Sequence, residues 1–166
     1  MRGSALLLSA LPAGSVFQRL SRRFDLRTAD DIILRLNLQP HPEGGFFRET
    51  YRQPSEDGAR GRLALIFYLL LETHRSAWHR IDATEVWHFV SGASLCLTLF
   101  SADRGAREIV LGARLDAGES PYAVVEPWTW MSASTLGAWT LVSCVTTPAF
   151  DFSGFELAPP GWRPDA

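Results

Sequence analysis

Lysine is absent: all sixteen basic residues of the 166-residue chain are arginine. Without a lysine amine, Schiff-base catalysis and pyridoxal-phosphate anchoring are excluded, as is the phosphate loop G-x-x-x-x-G-K-[ST]. Cysteine is scarce too. Cys96 and Cys144 lie in apolar alternating segments, with neither C-x-x-C spacing nor a cluster of four ligands, so a structural zinc site is excluded. Each reads as a buried free thiol or, alternatively, as a catalytic one. Long apolar runs are also missing. A membrane-spanning helix needs about 20 apolar residues, whereas the longest run, 63–71, fits a buried strand. Charge is nearly balanced, 18 acidic residues against 16 basic for a formal net charge of -2, which leaves no basic face for a phosphate backbone. The chain therefore reads as soluble, with no nucleic-acid partner and no membrane partner.

What is present is the composition of one globular domain, with 46% hydrophobic and 20% charged residues. Residues 1–27 stand apart. Arg2, Arg19, Arg22, Arg23 and Arg27 face a single acid, Asp25, and Val16, Phe17, Leu20 and Phe24 share one helical face. That pattern fits an organelle transit peptide or an uncleaved basic extension, so the expected location is cytoplasmic, with organelle import if the extension is a transit peptide. The folded domain is expected over 28–158, followed by a tail, 159–166. Thr28 is placed to cap a helix whose first turn carries Asp30 and Asp31, whose buried stripe is Ile32, Ile33 and Leu36, and which Pro40 and Pro42 end.

Beyond Gly44-Gly45 the periodicity changes to that of strands. Expected strands cover 46–52, 63–71, 77–81, 85–90, 94–100, 108–111, 122–125 and 138–146, with turn signals between them, which argues for an all-β sandwich or barrel. Strand 46–52 has no obvious partner in its own half of the chain, and an open edge of this kind predicts a homodimer.

The segment His79-Arg80-Ile81-Asp82-Ala83-Thr84-Glu85-Val86-Trp87-His88-Phe89-Val90-Ser91-Gly92 places a histidine and a carboxylate on adjoining strands. It resembles the first cupin motif, H-x-H-x(3,4)-E-x6-G, with Ile81 where the second histidine stands. Three stretches resemble the cupin-5 family more narrowly. They are Pro40-His41-Pro42-Glu43-Gly44-Gly45-Phe46-Phe47-Arg48-Glu49-Thr50-Tyr51, then His79-Arg80 with Glu85-x-Trp87-His88-Phe89, and Asp151-Phe152-x-x-Phe155-Glu156-Leu157. The resemblance implies a double-stranded β-helix, the jelly-roll barrel of RmlC-like cupins, with a short N-terminal helix. Departures mark a divergent member: where the family usually shows Pro-x-Gly-x-Trp-Gln, this chain has Glu126-Pro127-Trp128-Thr129-Trp130-Met131, and its Pro148-Ala149-Phe150 replaces Pro-Gly-Phe.

Metal-dependent cupins hold their ion with three histidines and a glutamate. The matching positions here are His79, Ile81, Glu85 and Met131, so no metal and no cofactor are expected. Strand alternation turns His79, Glu85 and Trp87 inward, so that His79 and Glu85 can meet as a proton-transfer pair whose carboxylate favours the charged histidine, or as a satisfied structural pair. These two are the candidate catalytic residues. Arg48, Trp87, His88, Trp130 and Met131 are the candidate substrate-binding residues. The tryptophans would serve as stacking walls and Arg48 as an anchor for an anion, while His88 reaches the site only if a bulge reverses the alternation after Glu85. The expected ligand is a small molecule, sugar-like or anionic. Three functions follow: a metal-independent isomerase, epimerase or lyase; a non-enzymatic protein binding a sugar or nucleotide derivative; and, disfavoured by the ligand positions, a metal-dependent dioxygenase.

Overall fold

A computed structural model describes residues 28–55 and 58–164; the transit-peptide pattern of 1–27 lies outside them. The chain enters through α1 (Ala29–Leu36), where Thr28 Oγ1 accepts from the Asp31 amide at 3.2 Å and Asp30 and Asp31 occupy the first turn. Ile32 is fully buried, a gain of about 2 kcal/mol from the side chain's transfer out of water. The helix stops at Asn37, three residues before the first proline expected to end it. Asn37 takes the left-handed conformation, φ 51°, which this short polar side chain tolerates.

Eleven strands follow among the described residues: β1 (Gln39–Pro40), β2 (Phe46–Gln53), β3 (Leu63–Leu71), β4 (Ser76–Ile81), β5 (Thr84–Gly92), β6 (Leu95–Ser101), β7 (Gly105–Leu111), β8 (Tyr122–Val125), β9 (Trp130–Thr135), β10 (Trp139–Thr147) and β11 (Phe155–Leu157). They form two antiparallel sheets in the orders β1-β2-β3-β10-β5-β8 and β11-β4-β9-β6-β7. The result is the all-β jelly-roll sandwich expected. Leu95, Leu97 and Leu99 of β6, with Met131 and Val142, fill part of the space between the sheets. On the outer face of the six-stranded sheet, Leu69 and Leu141 are covered by Ile32 and Leu38.

Two findings correct the expected strand map. First, β2 has a partner in its own half of the chain, because it pairs with β3 along its length, from Phe46↔Leu69 to Gln53↔Leu63, while its other edge meets only the two residues of β1, at Phe46 and Phe47. Second, β9 is an inner strand that period-two reading does not find. Its buried run Met131-Ser132-Ala133 does not alternate, since the Ser132 hydroxyl donates to the Ser76 carbonyl at 2.8 Å and is buried with its neighbours. Beyond residue 158, Trp162 packs on Trp130 and Trp78, with ring centroids 4.5 and 5.9 Å away. No helix among the described residues is long and apolar enough to cross a membrane.

Candidate functional site

His79 and Glu85 end up in different sheets, joined by the tight turn at Asp82-Ala83. His79 stands on β4 opposite Met131, and Glu85 on β5 opposite Thr146. Arg60 fixes the turn by forking onto Asp82 at 2.6 and 2.8 Å, while the Asp82 amide donates to the Gly154 carbonyl. Two parallel charge-assisted bonds of this kind set geometry as well as energy. Gly154 must remain glycine, because a Cβ there would lie 2.1 Å from the Asp82 carboxyl carbon.

Both side chains line a cavity of about 330 Å³. Trp87, two residues beyond Glu85, faces it as alternation requires. Ser76 and His79 are both buried although three positions apart, an odd step that the register shift between them on β4 absorbs. Two further titratable groups join from the loop between β1 and β2: His41 and Glu43. The loop is tied down by the Ala77 amide donating to the Glu43 carbonyl at 2.9 Å and the Tyr68 hydroxyl donating to the Gly44 carbonyl at 2.8 Å. Gly44, at φ 107°, allows the close pass, for a Cβ would meet the Arg75 carbonyl oxygen at 2.5 Å.

Hydrogen bonds fix the tautomers. His79 Nδ1 lies 2.8 Å from the Ala77 carbonyl, which can only accept, so Nδ1 carries a proton; Glu43 Oε2 lies 3.2 Å from the same nitrogen. When His79 is neutral, Nε2 is then the basic nitrogen. His41 is the reverse, since its Nδ1 accepts from the Glu43 amide at 3.2 Å.

Burial controls the charges. It pushes Glu43 up to about 8, against the opposing Ser76 hydrogen bond at 3.1 Å. Burial also raises Glu85 to about 7, opposed by His79 and assisted by Glu43. His41 falls to about 4 through burial and the neighbouring His79. His79 is lowered too, because burial outweighs Glu85 and the bond to Ala77. Glu85 does favour the charged histidine as expected, but burial outweighs it: near neutral pH both His41 and His79 are uncharged, Glu43 keeps its proton and Glu85 sits close to its midpoint. The Cys144 thiol, buried beside Glu85, is held well above its ordinary value and is a poor nucleophile.

Four expected binding residues do not line the cavity. Arg48 points outward and donates to the Leu36 carbonyl at 3.0 Å, capping α1 instead of meeting an anion. His88 is exposed on the outer face near Tyr122, because the β5 register runs unbroken from Glu85 to His88 and its bulge comes later, at Val90. Trp130 also faces outward, with the Arg80 guanidinium 4.6 Å from its ring centre. Met131 faces inward beside His79 but is wholly buried in the core. The arginine at the cavity is Arg52, paired with Glu49 at 2.6 and 2.9 Å and donating to the Phe150 carbonyl.

Sequence reasoning missed His41, Glu43, Tyr68 and Thr146 as cavity residues. For the first two a signal existed, since Pro40-His41-Pro42-Glu43-Gly44-Gly45 puts two titratable groups in a stretch whose prolines and glycines fix its path.

The donor set does not fit the metal site of metal-dependent cupins. Ile81 has no ligand atom, Met131 offers only a buried thioether, and no group of three or more His, Cys, Asp and Glu among the described residues is arranged to hold an ion. Elemental analysis after mild purification is expected to find well under one metal per chain. The double substitution Ile81→His, Met131→His should raise divalent-metal affinity; stoichiometric iron, manganese or zinc on the unaltered protein would contradict this.

The family model described as Cupin superfamily (DUF985) matches residues 30–158. A solved protein from Shewanella oneidensis is similar at 35% identity and TM-score 0.76, over 80% of this chain and 85% of that one. A protein from Leishmania major is similar at 29% identity and TM-score 0.73, over 79% and 87%. Oxalate decarboxylase from Bacillus subtilis shares the fold at 14% identity and TM-score 0.57, over 71% of this chain and 29% of that one. No curated protein matches significantly. With the jelly roll, the buried His79 and Glu85 and the match along residues 30–158, the chain belongs to the cupin-5 family of the cupin superfamily.

Proposed function

We propose that the protein binds a small molecule between its sheets and moves a proton on it without a metal, as an isomerase, epimerase or lyase. The observation that carries this reading is the cavity's cluster of His79, Glu85 and Glu43, buried together with no arginine or lysine among them. A buried structural carboxylate is ordinarily paired with a cation. Here Glu85 is poised near 7 and Glu43 near 8, where one group can accept a proton while another donates. His79 adds a base of fixed tautomer, its Nδ1 proton committed to Ala77.

The second reading is a binding protein with no chemistry. It draws support from the apolar walls Phe47, Ile66, Trp87 and Phe150, which suit retention of a ligand as well as its conversion. Mass spectrometry of metabolites retained by the purified protein, followed by incubation of each in D₂O, separates the two. The catalytic reading expects enzyme-dependent deuterium uptake at a carbon of the retained compound. Tight retention with no exchange would leave the binding reading alone.

A further inference from the structure

A second cavity, of about 220 Å³, lies where the turn between β6 and β7 meets the loop joining β8 to β9, and it shares no lining residue with the first. Trp128 stands in it at a cost. Its φ is 61°, in the left-handed region where a bulky side chain is an outlier, and the residue is 51% exposed. The backbone is held there by the Trp128 amide donating to the Ile81 carbonyl at 2.7 Å and the Thr129 amide donating to the Glu126 carbonyl at 3.2 Å. Glycine adopts such a conformation freely, and glycine is what the cupin-5 pattern carries at this position. A tryptophan here gives up backbone ease and leaves half its surface in water, so the stability of the fold does not explain it.

Around the ring stand Asp103, Arg104, Arg107 and Glu126, two carboxylates and two guanidinium groups. Arg107 is placed by register. It pairs with Leu99, whose side chain is buried between the sheets, and directly opposed residues share a face of the sheet. Asp103 is held below its ordinary value, chiefly by the Ser101 hydroxyl, and Arg104 lies 3.4 Å from it. The charges balance, so an anion or a cation would each meet two like charges. A further cation has less to gain from the ring, since the Arg80 guanidinium already lies 5.7 Å from its centre. Hydroxyl groups suit the set better: each both donates and accepts, so neighbouring hydroxyls can take from a guanidinium and give to a carboxylate at once. The tryptophan face offers an apolar platform for the C–H side of a ring. At less than the ~300–1,000 Å³ of sites for drug-sized ligands, the volume holds about one ring.

We infer that this cavity is a second binding site, taking one pyranose ring of an uncharged saccharide, with Trp128 as the stacking platform and Arg107 and Glu126 as donor and acceptor to neighbouring hydroxyls. It stands apart from the proton-transfer reading of the central cavity and does not depend on it.

Saturation-transfer NMR on the full chain tests this, with methyl α-glucoside, methyl α-mannoside and methyl β-galactoside as neutral probes, adenosine monophosphate as an anion with a stackable base, and glycine betaine as a zwitterion. At least one glycoside should bind, with saturation strongest on its ring C–H protons, and the two charged probes should not. Trp128→Gly suits the left-handed backbone and should fold, as thermal melts would check, while glycoside binding falls below detection. Arg107→Ala and Glu126→Ala should each weaken binding about tenfold, the worth of one hydrogen bond. Should Trp128→Gly fold poorly, these two variants decide. Glycoside binding retained in folded Trp128→Gly would put the saccharide elsewhere, the central cavity included, and overturn the inference. No binding of any glycoside, or preference for adenosine monophosphate or betaine, would overturn it too. Unchanged affinity in Arg107→Ala and Glu126→Ala would do the same, leaving Arg107 as an inward charge that guards the edge strand β7.

Discussion

Glu85→Gln and His79→Ala are each expected to lower proton exchange on the retained ligand by about 10²- to 10⁴-fold, the range seen when a positioned acid or base is lost. The double variant should be scarcely slower than either single one, because groups that act as one unit are not additive. Both side chains line the cavity, are buried, and influence each other's protonation. A purely structural pair makes another forecast. Breaking a buried charged pair costs about 3 kcal/mol or more, so melts would fall sharply while exchange per folded molecule stayed the same. In this protein His79 is uncharged and Glu85 about half ionised near neutrality, so no full ion pair is broken, and an amide replaces the Glu85 acid with little change in shape; the Glu85→Gln melt should move little. His88→Ala is the control, since His88 is exposed on the outer face and should leave exchange unaltered. Loss of exchange in His88→Ala with retention in His79→Ala would put the chemistry elsewhere.

How much of this was legible in the sequence varied with the length scale of the interaction. Strands with clean alternation or long apolar runs were readable: the expected 63–71 and 122–125 coincide with β3 and β8. The inward direction of Glu85 and Trp87, and the outward direction expected of His88 in a regular strand, follow from period two alone. The obscure parts depend on contacts distant in sequence. Glu43 reaches His79 across 36 positions through a loop that has no periodicity to read. Thr146 faces the cavity only because β10 lies between β3 and β5. The pull of Glu85 on His79 was readable, but the net shift runs the other way for a related reason: local sequence reveals the neighbouring carboxylate, whereas the depth of burial is a property of the whole barrel. Trp130 and Met131 were assigned to the site by likeness to a motif, and the packing of Trp162 and Arg80 against Trp130 could not be foreseen from that motif.

The same buried groups should shape stability against pH. Glu43 and Glu85 rise from 4.5 to about 8 and about 7 on folding, so between those limits the folded state holds protons that the unfolded chain has released, and stability falls as pH rises. His41 falls from 6.5 to about 4, and His79 is lowered as well. Below 6.5 the unfolded chain therefore binds protons that the folded one refuses, and stability falls as pH drops. Between about 4.5 and 6.5 His41 throughout, and His79 over the part of that range above its lowered value, oppose the two acids, so the profile there is shallower than above 6.5. Above 6.5 only the carboxyls remain, two until Glu85 ionises and one until Glu43 does. At ~1.4 kcal/mol per proton per pH unit, the loss between pH 6.5 and 8 comes to about 3 kcal/mol. Glu43→Gln cannot ionise. Relative to the unaltered protein, its stability should therefore climb by ~1.4 kcal/mol per pH unit from about 4.5 up to about 8, of which about 2 kcal/mol accrues between pH 6.5 and 8. Denaturant titrations from pH 5 to 8.5 provide the measurement. A flat profile from 6.5 to 8 in the unaltered protein would show that neither carboxyl is held protonated. A sloping profile that Glu43→Gln leaves unchanged would move the responsible group from Glu43 to Glu85, and with it the proton donor that the proposed chemistry needs.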